Sequence, residues 1–223
     1  MISTCTLPEL VIFDCDGVLV DSEPIANSTL AAAITRLGLP MSLARTRAAY
    51  VGLSMRQIMD NISGLIGQQI PDSWRQTLQE ETYAAFRRSL RAVPGVQEVL
   101  AHIQTANIAL CVASSGSLDK MELTLGLTGL RSYFGDHLFS STMVARGKPH
   151  PDLFLYAAAQ MGVSPDRAIV IEDSVPGVIG ARAAGMRVIA YGGDSESDLE
   201  RLKAEGGALF TRMDDLPYLL GLH

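Results

Sequence analysis

Two carboxylates, Asp14 and Asp16, stand two residues apart in Phe13-Asp14-Cys15-Asp16-Gly17-Val18-Leu19-Val20-Asp21-Ser22-Glu23, directly after the apolar run Leu10–Phe13. An apolar run stopped by an acid reads as a buried strand, and open α/β sheets bind ligands at the carboxyl ends of such strands. Gly17 permits the sharp turn that would bring both acids beside one ligand. The plainer alternative is a solvated Asp-x-Asp-Gly turn.

Three further segments could do chemistry. Val112-Ala113-Ser114-Ser115-Gly116-Ser117 places hydroxyls and backbone N–H groups ahead of a helix, a natural seat for phosphate oxygens, although an ordinary helix cap has the same look. Arg146-Gly147-Lys148-Pro149-His150-Pro151-Asp152 sets Lys148 before a proline-braced helix start, with a solvated lysine as the alternative. Ile171-Glu172-Asp173-Ser174 ends an apolar run in two carboxylates, which is costly unless they are paired or bind metal. Each of the four segments is expected to terminate a strand of one parallel sheet, so that all meet at one edge.

Gathered there, these residue types suit phosphoryl transfer. A phosphate ester is doubly anionic and repels a carboxylate, so a hard cation must offset the charge, and oxygen ligands select Mg2+. On this reading Asp14 binds Mg2+ and attacks phosphorus, forming an aspartyl-phosphate. Asp16 protonates the leaving alcohol, later deprotonates the attacking water, and offers its main-chain carbonyl to the metal. Asp173 completes the metal site, with Glu172 as an outer or additional ligand. Lys148 balances the charge of Asp14 and the transferring group. Ser114 and the N–H groups of Ser115 and Gly116 hold the non-bridging oxygens.

The elements needed to position these groups are legible in the periodicity. Strands are expected at 10–13, 108–112, 168–171, 187–190 and, more weakly, 208–211. Their near-continuous apolar character means cover on both faces and hence a parallel sheet. Helices are expected between them at 95–105, 118–125, 152–161, 175–184 and 197–205. Strand alternating with helix gives an α/β, Rossmann-like core. From about Glu23 to Ser89 only helical patterns occur, at 25–37, 42–50, 55–66 and 73–90, where a single crossover would be usual. The chain is therefore expected to hold an α/β core of residues 1–20 and 90–223 with an inserted small helical cap of residues 21–89.

Length and composition bound the rest. The chain has 223 residues, 48% hydrophobic and 19% charged, with a net charge of −6 and no basic run, which argues against a nucleic-acid partner. No segment is apolar enough to span a membrane. Cys5, Cys15 and Cys111 are scattered, so thiols in a reducing cytoplasm are expected. The implied partner is a small phosphorylated metabolite, bound by a monomer or a small homo-oligomer.

In the order of its motifs the chain resembles the haloacid dehalogenase superfamily. More narrowly it is similar to the sugar-phosphate phosphatases related to β-phosphoglucomutase and 6-phosphogluconate phosphatase. The resemblance rests on Asp14–Gly17, Ser114, Lys148-Pro149 and Glu172-Asp173. Pro94-Gly95-Val96 and the small residues Gly177, Ala181, Ala184 and Gly185 add to it. It implies a Mg2+-dependent hydrolase of sugar phosphates, with the segment Gly52-Leu53-Ser54 as a substrate-specificity loop. Arg56 and Arg45 are candidate contacts for a second anionic group, against the alternative of a solvated helix face. The mutase's cap histidine is replaced by Ala26 and its cap arginine by Met55, which favours hydrolysis over isomerisation. The segment 23–89 has no lysine, as a Schiff-base phosphonatase would require, and Asp16 is an acid that dehalogenases lack. A hexose-phosphate mutase and a non-catalytic binding module on the same scaffold are the alternatives.

Overall fold

The computed structural model describes residues 7–50, 53–194, 198–206 and 208–222. In chain order its strands are β1 (Leu10–Phe13), β2 (Ala109–Ser114), β3 (Leu138–Ser140), β4 (Ala168–Glu172), β5 (Arg187–Tyr191) and β6 (Ala208–Phe210). The helices between β1 and β2 are α1 (Glu23–Arg36), α2 (Leu43–Tyr50), α3 (Met55–Ile66), α4 (Asp72–Ser89) and α5 (Val96–Thr105). They are followed by α6 (Leu118–Leu127), α7 (Arg131–Phe134), α8 (Asp152–Gln160), α9 (Val175–Ala183), α10 (Leu199–Glu205) and α11 (Leu216–Leu220).

All six strands form one parallel sheet in the order β3-β2-β1-β4-β5-β6. The chain runs outward from β1 through β2 to β3, then returns to lay β4 on the other side of β1. That reversal opens a crevice at the carboxyl ends of β1 and β4, where such sheets take ligands. Phe13 is in register with Val112 and Ile171, and the Asp14 N–H continues the ladder to the Ile171 carbonyl at 2.9 Å. Register alone therefore carries Asp14 level with Glu172.

The apolar sequence of β1 follows from its central place. Leu10, Val11, Ile12 and Phe13 are fully buried, and successive side chains point to opposite faces. Leu10 and Ile12 join Cys111, Ala113, Val170 and Ala190 beneath α8 and α9, through Phe154, Ala157, Val178 and Ala181. On the other face Phe13 meets the Phe134 ring edge-on, with centroids 6.4 Å apart. Full burial of each such side chain contributes about 1.5–3 kcal/mol.

The structure differs from the sequence pattern at two points. β3 was not anticipated, because three residues are too few to show a period. Lys148 does not terminate a strand: it lies in the loop between β3 and α8, eight residues past Ser140. Its route to the sheet edge is through that loop, whose Lys148–Pro149 bond is cis.

The chain divides into two compact units, one of the described residues up to Asp21 and from Arg91 on, the other Ser22–Leu90. Within the first, the segments entering and leaving the insertion meet at an isolated antiparallel bridge, Val20 with Ala92: Asp21 donates to the Arg91 carbonyl and Val93 to that of Leu19, both at 3.0 Å. The second unit is α1–α4, built around Leu30, Ile34, Tyr50, Ile58, Ile62 and Leu78. Its α3 starts at a capping box in which Ser54 and Gln57 satisfy each other's backbone N–H groups. None of the described helices is long and apolar enough to cross a membrane.

Candidate active site

Lys148 is the centre of the buried charge. Its Nζ lies 2.6 Å from Asp14 Oδ1 and also donates to Glu172 Oε1. The three side chains are only 4%, 9% and 0% exposed, and the ammonium sits 5.2 Å from the Phe154 ring centroid. The other Glu172 oxygen accepts from the Ser174 N–H at 2.7 Å and from its hydroxyl at 2.8 Å. Ser174 Oγ in turn accepts from the Gly177 N–H and caps α9. Gly177 must be glycine, since a Cβ there would run into the Glu172 carboxylate. Both Glu172 oxygens are thus committed to holding Lys148 and the start of α9.

Burial pushes the Asp14 carboxyl up to about 7; Lys148 pulls against this, while Glu172 and Asp16 add to it. Burial likewise works against the Lys148 ammonium, yet its two carboxylates outweigh that and hold it above the usual lysine range. The two directions agree physically, because one cation shared between two acids cannot fully offset both.

Asp16 has a separate partner. Lys120, in the first turn of α6, places Nζ 2.8 Å from each Asp16 oxygen. Burial lowers the Lys120 pKa and the Asp16 charge raises it, with a net shift upward. Asp173 arrives from the end of β4 over the turn that carries both acids, and a Cβ on Gly17, at φ 80°, would collide with its carboxylate. Cys15 fills the turn from inside, its sulfur 3.8 Å from Thr124 Oγ1. Burial first, then Asp16 and Asp14, push its thiol well above the ordinary value, which makes it a packing group.

The end of β2 is tied down from β3. Ser140 Oγ donates to the Gly116 carbonyl at 2.7 Å and Ser141 Oγ to that of Ser115 at 3.0 Å. The Gly116 N–H, expected to hold a ligand oxygen, instead donates to Ser114 Oγ at 3.0 Å. Buried Ser114 therefore accepts from its own loop and keeps its hydroxyl proton as a donor.

These features sit on a chain whose residues 11–191 match the sequence model of the haloacid dehalogenase-like hydrolases. The chain belongs to that family. It is 31% identical over 216 residues to 6-phosphogluconate phosphatase of Escherichia coli K12, covering 95% of this chain and 94% of the relative. To hexitol phosphatase B of the same organism it is 32% identical over 182 residues, 80% of this chain and 81% of the other. Among solved structures, a HAD family hydrolase from Deinococcus radiodurans R1 with bound phosphate and sodium superposes with a TM-score of 0.82 at 28% identity, covering 97% of this chain and 98% of that one.

A haloacid dehalogenase-like hydrolase that used a divalent cation here would have to hold it with few side chains. Among the described residues no three His, Cys, Asp or Glu side chains form a ready ligand set, so the expected Asp14, Asp16 and Asp173 trio is not a closed cage. Mg2+ does not need one, since it is ordinarily held by one or two carboxylates with waters and substrate oxygens completing its shell. The charge also suits it: Asp14, Asp16, Glu172 and Asp173 gather near Lys120 and Lys148, four acids to two bases. The donor set fits a hard cation.

Lys120 carried one usable signal in the sequence. A lysine in the first turn of a helix opposes the macrodipole, and a broken local rule points to a site. The residues singled out in the second unit are arranged differently. Ser54 is exposed and its hydroxyl is engaged with Gln57, at 3.3 Å from the N–H and 2.7 Å from Oε1. Arg45 and Arg56 are exposed on α2 and α3, and Gly52 lies outside the described residues, as does Cys5.

Proposed function

We propose that the protein is a phosphoric monoester hydrolase acting on a small phosphorylated metabolite of the sugar-phosphate class, with Asp14 as nucleophile. The observation that carries this reading is Lys148, buried between Asp14 and Glu172, a fixed positive charge beside a carboxylate at the switch point of the sheet. The E. coli relatives named for phosphatases of 6-phosphogluconate and hexitols support the substrate class.

In the first step an Asp14 oxygen bonds to phosphorus as the bond to the leaving oxygen breaks, and Asp16 gives that oxygen its proton. In the second, Asp16 takes a proton from water whose oxygen attacks phosphorus, the Asp14–phosphorus bond breaks, and inorganic phosphate leaves. Lys148, the Ser114 hydroxyl and the Ser115 N–H stabilise charge on the non-bridging oxygens. Mg2+, held by the Asp14 carboxylate, the Asp16 main-chain carbonyl and Asp173, would neutralise phosphoryl charge as the two anions approach. Selectivity is assigned to the helical unit, through the Gly52–Ser54 segment and Arg56. Ala26 and Met55, where the mutase carries histidine and arginine, favour water over a sugar as acceptor.

The test is phosphate release from a panel of phosphorylated metabolites and p-nitrophenyl phosphate, with Mg2+ and with excess chelator. Turnover of a sugar phosphate by the wild type, lost in Asp14→Asn, is the expected result. No release from any ester would return the chain to a binding role, and isomerised sugar formed with a bisphosphate activator would make it a mutase.

A further inference from the structure

Two acids at the candidate site are each matched to a lysine, Asp14 to Lys148 and Asp16 to Lys120. We propose that Lys120 is a positioning residue for Asp16, fixing its carboxylate for proton transfer to and from the oxygens at phosphorus. This rests on the phosphatase reading above. The geometry is that of a clamp: Nζ stands 2.8 Å from both Oδ1 and Oδ2 of Asp16, 104 residues away in the chain. Contact with both oxygens selects one orientation of a short side chain.

The surroundings are built around the pair. A Cβ on Gly116 would stand 3.4 Å from Lys120 Cδ and 3.6 Å from Asp16 Oδ2, so both members lie along the glycine. Lys120 is the third residue of α6, whose cap Ser117 accepts from the Lys120 N–H. Side chains at a helix start lean back toward its N-terminus, and that direction carries the ammonium toward Asp16. The two side chains are 27% and 23% exposed, so solvent screens the pair and its loss should leave stability nearly unchanged. A partly exposed pair that fixes both oxygens of the candidate acid is explained by orientation.

The experiment compares wild type, Lys120→Met, Lys120→Arg, Asp16→Asn and the Asp16→Asn/Lys120→Met double variant on p-nitrophenyl phosphate and phenyl phosphate. The first leaving group departs with little need of a proton, whereas the second is more basic. Lys120→Met should lower kcat/KM on phenyl phosphate roughly tenfold more than on p-nitrophenyl phosphate, a fraction of what a general acid supplies. Lys120→Arg should recover most of the loss, and Lys120→Met should add nothing in the Asp16→Asn background. Equal losses on both esters, a rise in KM alone, or a loss that persists without Asp16 would overturn the proposal and make Lys120 a phosphate ligand or a structural group. Thermal melting of each variant separates a folding defect, which would also overturn it, from loss of orientation. Wild type inactive on both esters and on the metabolite panel would instead sink the phosphatase reading itself.

Discussion

The two compact units treat their polar residues in opposite ways. In the α/β unit the candidate groups lie at or just past strand ends, buried for Asp14 and Glu172 and partly exposed for Asp16, and each has a fixed partner: Asp14 with Lys148, Asp16 with Lys120, Glu172 with Lys148 and Ser174. In the helical unit Ser54, Arg45 and Arg56 are exposed on or beside helices, and the buried residues are almost all apolar. Buried charge is tolerated only with a partner, so the first unit constrains its chemistry tightly. An exposed arginine can be changed at little cost to stability, so the second unit is under a looser constraint.

The largest expected effect falls on the α/β unit. Asp14→Asn keeps shape and volume but removes the nucleophile, so kcat should fall by roughly 10^3-fold or more while the fold persists. Circular dichroism with a phosphate-release assay checks both halves. Near-full activity in Asp14→Asn would rule out the covalent mechanism. Lys148→Met tests burial in the same place. Removing one member of a buried ion pair destabilises by about 3–5 kcal/mol, and here two acids, Asp14 and Glu172, lose their partner. Urea denaturation should show that loss; a change under about 1 kcal/mol, the range of an exposed pair, would mean water already reaches the cluster.

Metal removal comes next. With four acids near two lysines, chelation should stop turnover and Mg2+ restore it. Ca2+ should inhibit, because it is larger, accepts more oxygens and would let Asp14 bind through both of its own. Full activity in excess chelator would remove the cation from the reading.

The same contrast decides what could be read in the sequence. Leu10–Phe13 and Ala168–Ile171 announced themselves because a central parallel strand must be apolar throughout. Asp14, Glu172 and Asp173 stood out because they end such runs. β3 and α7 did not, at three and four residues long. Nothing local distinguishes the loop position of Lys148 from a strand end. The pairing of Lys120 with Asp16 is a tertiary fact, since its partner stands 104 residues away, and the internal use of the Gly116 N–H rests on loop geometry that spacing does not encode.

Smaller effects belong to the helical unit. Arg56→Ala should raise KM about tenfold for a preferred substrate with a second anionic group, the scale of one lost charge-assisted bond. Activity on p-nitrophenyl phosphate, which offers that side chain nothing, should stay near wild type. Equal losses on both would place Arg56 in the fold or the chemistry.

Ser54→Ala is the finest cut, because the Ser54 hydroxyl has two candidate duties. As the α3 cap it accepts from the Gln57 N–H, and Gln57 Oε1 accepts from the Ser54 N–H at 2.9 Å. Alanine keeps the backbone half of that exchange and loses the side-chain half, so stability should drop by about 1 kcal/mol. The hydroxyl is also 2.7 Å from Gln57 Oε1, which leaves its proton committed within the helix start. A group engaged in that way has little left for a substrate, and KM should therefore move by less than about twofold, well under one hydrogen bond. A lowered melting point with unchanged KM would assign Ser54 to the cap and leave selectivity to Arg56 and its neighbours. A raised KM with unchanged melting would mean that the hydroxyl turns from Gln57 to the substrate, and the two units would then differ less than their burial suggests.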